Sequence, residues 1–554
     1  MKTHSLLACV SALALGVGAA QAQELLFLAE DVPAGLNYDG PAAAIPTSQT
    51  GMVNVMEPLF GYATNPANES GVVTPDFSTF EGRLVESWSY DPATLTWTLK
   101  LRQGVQGCGG ATFNADDVLY TFARGKSVSG AAPIGWFLSN VASIANFTPD
   151  VFGDETKRAL GDEVTKVDDY TVTIRQSEPN ALFLPVLTIF GLHIFDKELM
   201  DANATAEDPW AHDYANNVNV ASFGPYCVES WTKDDEIVLS ANENYYRGAP
   251  AIKRVVMKKV PQSSNRVVIL RSAQAQLVQG LTPREFDSLR GAPGIAVGSV
   301  AGNENLFVHM NFDVPPFDNP LVRKAVAHAI PTQQIIDNAY FGQARPWLGV
   351  VPSSYPGFHQ SATQYPYDPA AAKALLAEAG YPDGAGLDAF GEAFQLTYVS
   401  EKEATLGPIV NAIATAMGEV GFPVTLNPIP QTQYGDRQLV KRDLPFAVND
   451  QEKPIGVDAG YATQLFFVSP ESGGLNNMVN YRNPDLDALW AQARVEPDTA
   501  KRDALLVQIQ DILMNDVVWA PVVEYSTQWA HSDTLQGLQW HPDNSVRFFD
   551  LSYK

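Results

Sequence analysis

Residues 319–342 read N-P-L-V-R-K-A-V-A-H-A-I-P-T-Q-Q-I-I-D-N-A-Y-F-G. Asn319 has the chemistry of a helix cap and Pro320 suits the first helical position, where its missing N–H costs nothing. Leu321, Val322, Ala325, Val326 and Ala329 then fall on one apolar stripe. Pro331 begins a fresh turn, and a second apolar set, Ile335, Ile336 and Tyr340, runs to a stop at Gly342. A further helix opens with Asp368 as cap and Pro369 behind it, buries Leu375 and Leu376, and ends at Gly380.

Outward from this stretch, strands and helices alternate along the whole chain without repeats or low-complexity segments. Leu25 to Ala29 reads as an apolar strand, and T-L-T-W-T-L-K-L-R, Thr94 to Arg102, alternates with the period of a half-buried antiparallel strand. D-Y-T-V-T-I-R, Asp169 to Arg175, does the same, as do Ile237 to Ser240 and Val255 to Val260. Asn114 caps a helix expected to end near Gly125. Late helices follow caps Asn483 and Asp498. Mixed order of this kind predicts an α/β or α+β architecture with sheets in more than one domain.

The chain has 554 residues and 36 basic against 62 acidic side chains, a formal charge of −26. Such a surface excludes nucleic acid as a partner, since phosphates need basic neutralisation. The opening residues carry Lys2, an apolar run from Leu6 to Ala20 and Ala20-Gln21-Ala22, the pattern of a cleavable export signal over 1–22. The run is too short and too rich in Ala and Gly to span a bilayer, which takes about 20 residues. Cys9 would leave too short a signal for a lipid anchor. Export permits a disulfide between the two remaining cysteines, Cys108 and Cys227, although buried free thiols satisfy the sequence equally well. With no C-x-x-C pair and no dense His/Cys cluster, neither a metal site nor a cofactor is expected.

Taken together, V-R-K-A-V-A-x-A-I and Y-x-Y-D-P-x-x-A-K-x-L-L-x-E-A-G-Y resemble the solute-binding proteins that serve dipeptide and oligopeptide ABC importers, solute-binding family 5. Further elements match in order: E-P-L-F from Glu57, L-V-E-S-W from Leu84, L-K-L-R-Q-G-V from Leu99, F-N-A-D-D-V-L-Y-T-F from Phe113, N-E-N-Y-Y-R-G from Asn242, and N-Y-R-N-P-D-L-D from Asn480. Two departures stand out. Ala329-Ile330-Pro331-Thr332 replaces the usual A-I-D-R, and Gly107-Cys108-Gly109-Gly110 replaces the F-H-D-G loop.

The resemblance implies a periplasmic-binding-protein-like α/β fold of two lobes with an additional inserted domain. Domain I would take 23–56, 219–302 and 517–554, domain II the insertion 57–218, and domain III 303–516. Two crossings, near 305–312 and 520–526, would act as the hinge on which the lobes close. It also implies a non-enzymatic, monomeric periplasmic receptor. Its partners would be a small-molecule or short-peptide ligand and inner-membrane ABC permease subunits.

Site residues carry over position by position. Peptide-binding relatives have a W-x-x-D loop whose Asp receives the ligand ammonium; Ile455-Gly456-Val457-Asp458 aligns with it, making Asp458 the anchor and Ile455 the Trp replacement. A carboxylate suits an ammonium because charge-assisted bonds are about twice as strong as neutral ones. The alternative is that Asp458 merely caps the segment beginning at Ala459. The Arg that pairs with a dipeptide carboxylate is missing, and Lys402 in S-E-K-E stands in its place as a flexible point charge. Tyr461, Tyr525, Asn37 and Tyr38 complete the expected ligand contacts, each against the alternative of plain packing, and Trp88 and Trp136 are assigned to the core. The ligand so described is a small peptide or peptide-like amine.

No G-x-S-x-G, H-E-x-x-H, P-loop or Rossmann fingerprint occurs, so no catalytic residue is assigned. An exported carboxylate-based hydrolase is the alternative from another class. A nickel-type metal-chelate receptor of the same fold, using His359 or His531, is the alternative within it.

Overall fold

The computed structural model describes residues 24–39, 45–127, 134–147, 159–189 and 192–554. The export signal over 1–22 lies outside them. No helix among the described residues is long and apolar enough to cross a membrane.

Two large sheets organise the chain. The first has seven strands, with the central strand Glu24–Ala29 parallel to Arg254–Lys259 on one side and to Leu277–Val278 on the other. Beyond Arg254–Lys259 lie Glu236–Ala241 and then Tyr226–Thr232 at the edge, both antiparallel. The other flank carries Thr527–Ser532 and Ile295–Val300. The second sheet has six strands around Asn305–Met310, whose six residues are all buried because both faces of the strand are covered. Between them, residues 57–218 form a separate four-stranded antiparallel sheet and a hairpin of Phe60–Thr64 with Pro75–Gly82.

The caps expected from sequence form. The Asn319, Asp368 and Asp498 side chains accept backbone N–H bonds at the starts of helices Pro320–His328, Pro369–Glu378 and Thr499–Asp516, and Asn483 does so for Pro484–Val495. The helix behind Asn114 runs Ala115–Ser127, past Gly125. Pro331 sits at the cap of Thr332–Asn338 and not inside it.

One boundary needs correction. Strand Trp519–Tyr525 pairs antiparallel with Asn305–Met310, which places it with 303–516 and not with 517–554. The chain passes from it into strand Thr527–Ser532 of the first sheet through the single residue Ser526. The other crossing runs from Ile295–Val300 to Asn305–Met310. Two short crossings of this kind are hinge geometry.

The inserted region, by contrast, is tied firmly to the first lobe. Cys108 and Cys227 form a disulfide, with Cα atoms 5.6 Å apart, that joins the insertion to the edge strand Tyr226–Thr232. The fully buried Arg124 of the insertion pairs with Asp39 and donates to the Trp210 carbonyl. Cys108 N–H donates to the Ser222 carbonyl (3.0 Å), and the Ser222 hydroxyl to that of Ile194 (2.7 Å).

Candidate functional site

A cavity of about 110 Å³ lies where the three regions meet. The first lobe lines it with Arg247 and the segment 539–550, the insertion with Glu57, Tyr62, Arg83, Thr188 and His193, and the second lobe with Ile455. Ile455 is the residue aligned with the Trp of peptide binders, so that loop does reach the cavity.

Its charged groups fall into committed and uncommitted sets. Glu57, at 5 % exposure, accepts hydroxyl bonds from Tyr245 and Tyr246, both 2.9 Å, and burial pushes its carboxyl above the usual range. Asp543 accepts from Arg547 (2.9 Å) and from the Ser545 hydroxyl (2.6 Å). Burial opposes its ionisation, yet the Arg547 guanidinium and these bonds hold it below the carboxylate range. Asp550 makes no ion pair among the described residues; burial raises it against the pull of Arg247, Arg83 and Arg547. Arg83 lies across Gly61, where a Cβ would stand 2.8 Å from its Nε, and its one ion pair among the described residues is a 3.4 Å contact with the exposed Glu81. Arg247 rests its guanidinium 4.7 Å from the Phe549 ring centre.

Burial, followed by the nearby Arg547, pushes the imidazoles of His193 and His541 down to about 3, so both rings are neutral at pH 7. His193 Nδ1 and His541 Nε2 are buried without a protein hydrogen-bond partner.

The residues picked from sequence do not converge on this cavity. Asp458 caps Ala459–Ala462 through a 2.6 Å bond from Gly460 N–H. Its two oxygens also receive Arg502 at 2.6 and 3.0 Å, with side chains 15 % and 8 % exposed. Its carboxylate is therefore already neutralised. Lys402 is likewise spent on both oxygens of Asp450, 2.8 and 2.9 Å. Asn37 and Tyr38 are buried between first lobe and insertion, bonded to His212 Nδ1 (3.0 Å) and the His193 carbonyl (2.6 Å). Tyr525 sits at the hinge, donating to Glu304 (3.1 Å) and stacking on Tyr340. Tyr461 is buried, parallel to Phe137 of the insertion, with its hydroxyl unpartnered.

Trp136 is core, as expected, and donates to the Gly473 carbonyl across the lobes (3.3 Å); Trp88 is half-buried against Phe60. His359 faces Asp511 (3.2 Å) and His531 lies in the first sheet, neither of them at the cavity. No group of metal-ligating side chains assembles among the described residues.

The residues missed were Glu57, Arg83, His193, Arg247 and the 541–550 run. Glu57 and Arg247 sit inside quoted motifs, E-P-L-F and N-Y-Y-R-G. H-P-D-N-S-V-R-F-F-D is dense in charge between aromatics, which was the one local signal available.

Two lobes on short crossings, with a polar cavity at their junction, define a solute receptor of the periplasmic-binding-protein type. The profile of the family described as "Bacterial extracellular solute-binding proteins, family 5 Middle" matches residues 79–469, and the chain belongs to this family. It is 26 % identical over 483 residues to "Heme-binding protein A" of Haemophilus influenzae, covering 85 % of this chain and 84 % of that one. It is 25 % identical to "Glutathione-binding protein GsiB" of Salmonella typhi, covering 85 % and 86 %. Among solved structures it superposes on the periplasmic binding protein DppA from Helicobacter pylori in complex with peptide STSA. There the TM-score is 0.77 at 22 % identity, covering 97 % and 99 % of the two chains. Members of the family are substrate-binding proteins of ABC importers for peptides or related ligands, and they are binding proteins, not enzymes.

Proposed function

We propose that this chain is the periplasmic receptor of an ABC importer, exported through a cleavable signal over 1–22 and working as a monomer. It captures one small peptide or peptide-like amine at the junction of its lobes and delivers it to inner-membrane permease subunits. The observation that carries the reading is the cavity itself. Both lobes and the insertion line it, as a site that forms between closing lobes requires. It presents charge of both signs, Arg83 and Arg247 beside Glu57 and Asp550, which suits a solute with a carboxylate and an amine. In this reading Asp458, bound to Arg502, shapes the neighbouring wall and does not anchor the amine. The names of the relatives support the ligand's size and class, since glutathione and a short peptide both carry these two groups.

The lobes close as the solute is buried, because burial supplies the differential affinity that selects the closed state. A thermal-shift screen over short peptides, opines, amino sugars and polyamines tests this. A ligand at 100 times its Kd adds about 2.7 kcal/mol to stability, a clear rise in Tm. A screen in which peptides and carboxylate-bearing amines all leave the Tm unmoved would count against the reading.

A further inference from the structure

The cavity holds three arginines within a chain of formal charge −26, and their surroundings show what they are for. Arg83, Arg247 and Arg547 all line this one cavity, together with Asp550 and His541. Arg547 is closed off by its pairing with Asp543. Arg83 and Arg247 have no ion pair with any cavity acid among the described residues. Glu57 accepts two tyrosine hydroxyls and lies in the field of Arg83 and Arg247, and Asp550 lies in the field of all three arginines.

The cavity's formal charges balance, Arg83, Arg247 and Arg547 against Glu57, Asp543 and Asp550, and Arg83 and Arg247 are the two cations of that set with no cavity acid within ion-pair distance among the described residues. Neutral polar atoms complete the wall. His193 is 2 % exposed, lines the cavity, and leaves Nδ1 without a partner. Gly61 supplies the groove in which Arg83 lies, because any Cβ there would strike its Nε.

We propose that Arg83 and Arg247 form a carboxylate-binding subsite of this cavity, with the neutral His193 ring beside it as a further polar contact for the same anionic group. The carboxylate end of the solute is thus received between the first lobe and its disulfide-tied insertion. It is not received at Lys402 on the second lobe, which Asp450 has already neutralised. The inference rests on the cavity being the solute site and specifies which chemical group occupies which side of it.

The test uses the full mature protein and two probes, succinate for the carboxylate and putrescine for the amine, followed through the arginine Nε–H resonances in NMR. Arg83→Gln and Arg247→Gln identify the two signals. Succinate at millimolar concentration is expected to move both resonances saturably, and putrescine neither. Either variant should weaken succinate about tenfold or more, the worth of one charge-assisted bond. Gly61→Ala, which keeps every charge but displaces Arg83, should weaken it also, and this variant answers for any loss of folding in the arginine changes. Putrescine moving the two resonances, succinate leaving them still, or succinate binding equally well to all three variants overturns the subsite. If a peptide compacts the protein while succinate does nothing, the subsite falls and the receptor reading stands. If succinate binds as stated while no solute compacts the protein, the reverse holds.

Discussion

Asp458→Asn separates two roles that one carboxylate can play. As a cap, Asn serves as well as Asp, so the bond from Gly460 N–H survives. The ion pair does not survive. Arg502 now meets an amide with a single acceptor oxygen, and its guanidinium, 8 % exposed, loses its counter-ion. Removing one partner of a buried pair costs about 3–5 kcal/mol. Asp458 is 15 % exposed, and Asp503 also acts on Arg502, so the expected loss is at the low end, about 2–4 kcal/mol. The assay is urea unfolding of Asp458→Asn, Arg502→Gln and the double variant, each compared with the unaltered chain. The double variant should regain at least about 1 kcal/mol relative to the sum of the singles, because no charge is left stranded. Asp458→Ala should lose a further increment of about 1 kcal/mol with the cap. A result in which Asp458→Asn unfolds within about 0.5 kcal/mol of the unaltered chain would refute the pairing argument. It would return Asp458 to a free anchor if solute binding fell at the same time.

Replacing Cys108 and Cys227 by Ser opens a loop of 119 residues, for which the chain-entropy relation predicts a loss of up to about 5 kcal/mol, read as a lower denaturant midpoint. Equal midpoints for oxidised and reduced protein would contradict it. His309 is fully buried in the central strand of the second sheet, bonds through neither ring nitrogen, and is pushed down by burial to about 3. The unfolded chain takes up a proton near pH 6.5 and the folded one does not, so this contribution is intact above about 6.5 and lost progressively as pH falls toward 3. His309→Leu should reduce the pH dependence of the urea midpoint between pH 7 and 4 by one proton's worth; an unchanged slope would show that the ring titrates normally. Small-angle scattering should give a smaller radius of gyration with a bound solute than without, and an equal radius from an open starting state would remove the hinge from the account.

Much of the fold was legible because its signals are local. A cap such as Asn319 or Asp368 satisfies N–H groups two or three residues away, so its position and that of the following Pro suffice. Alternating strands such as Thr96–Leu101 declare themselves by period. Trp519–Tyr525 does not, because it is buried on both faces and nothing in its apolar run says which sheet it joins. The disulfide was permitted by count but not by any local pattern. The cap bond of Asp458 lay within two residues, whereas Arg502 lay 44 residues off and its arrival could not be read. The cavity shows the same limit more strongly. Glu57, Arg83, His193, Arg247 and Asp550 come from five distant stretches, and only the folded insertion and first lobe bring them together.

The most direct measurement is calorimetric titration of the mature protein with short peptides and carboxylate-bearing amines, with the solute recovered afterwards and identified by mass spectrometry. A receptor with one cavity at the lobe junction should bind one molecule per chain and return it chemically unchanged, with binding weakened by Arg247→Gln. No binding by any member of the panel, or recovery of the solute as a hydrolysed product, would contradict the account.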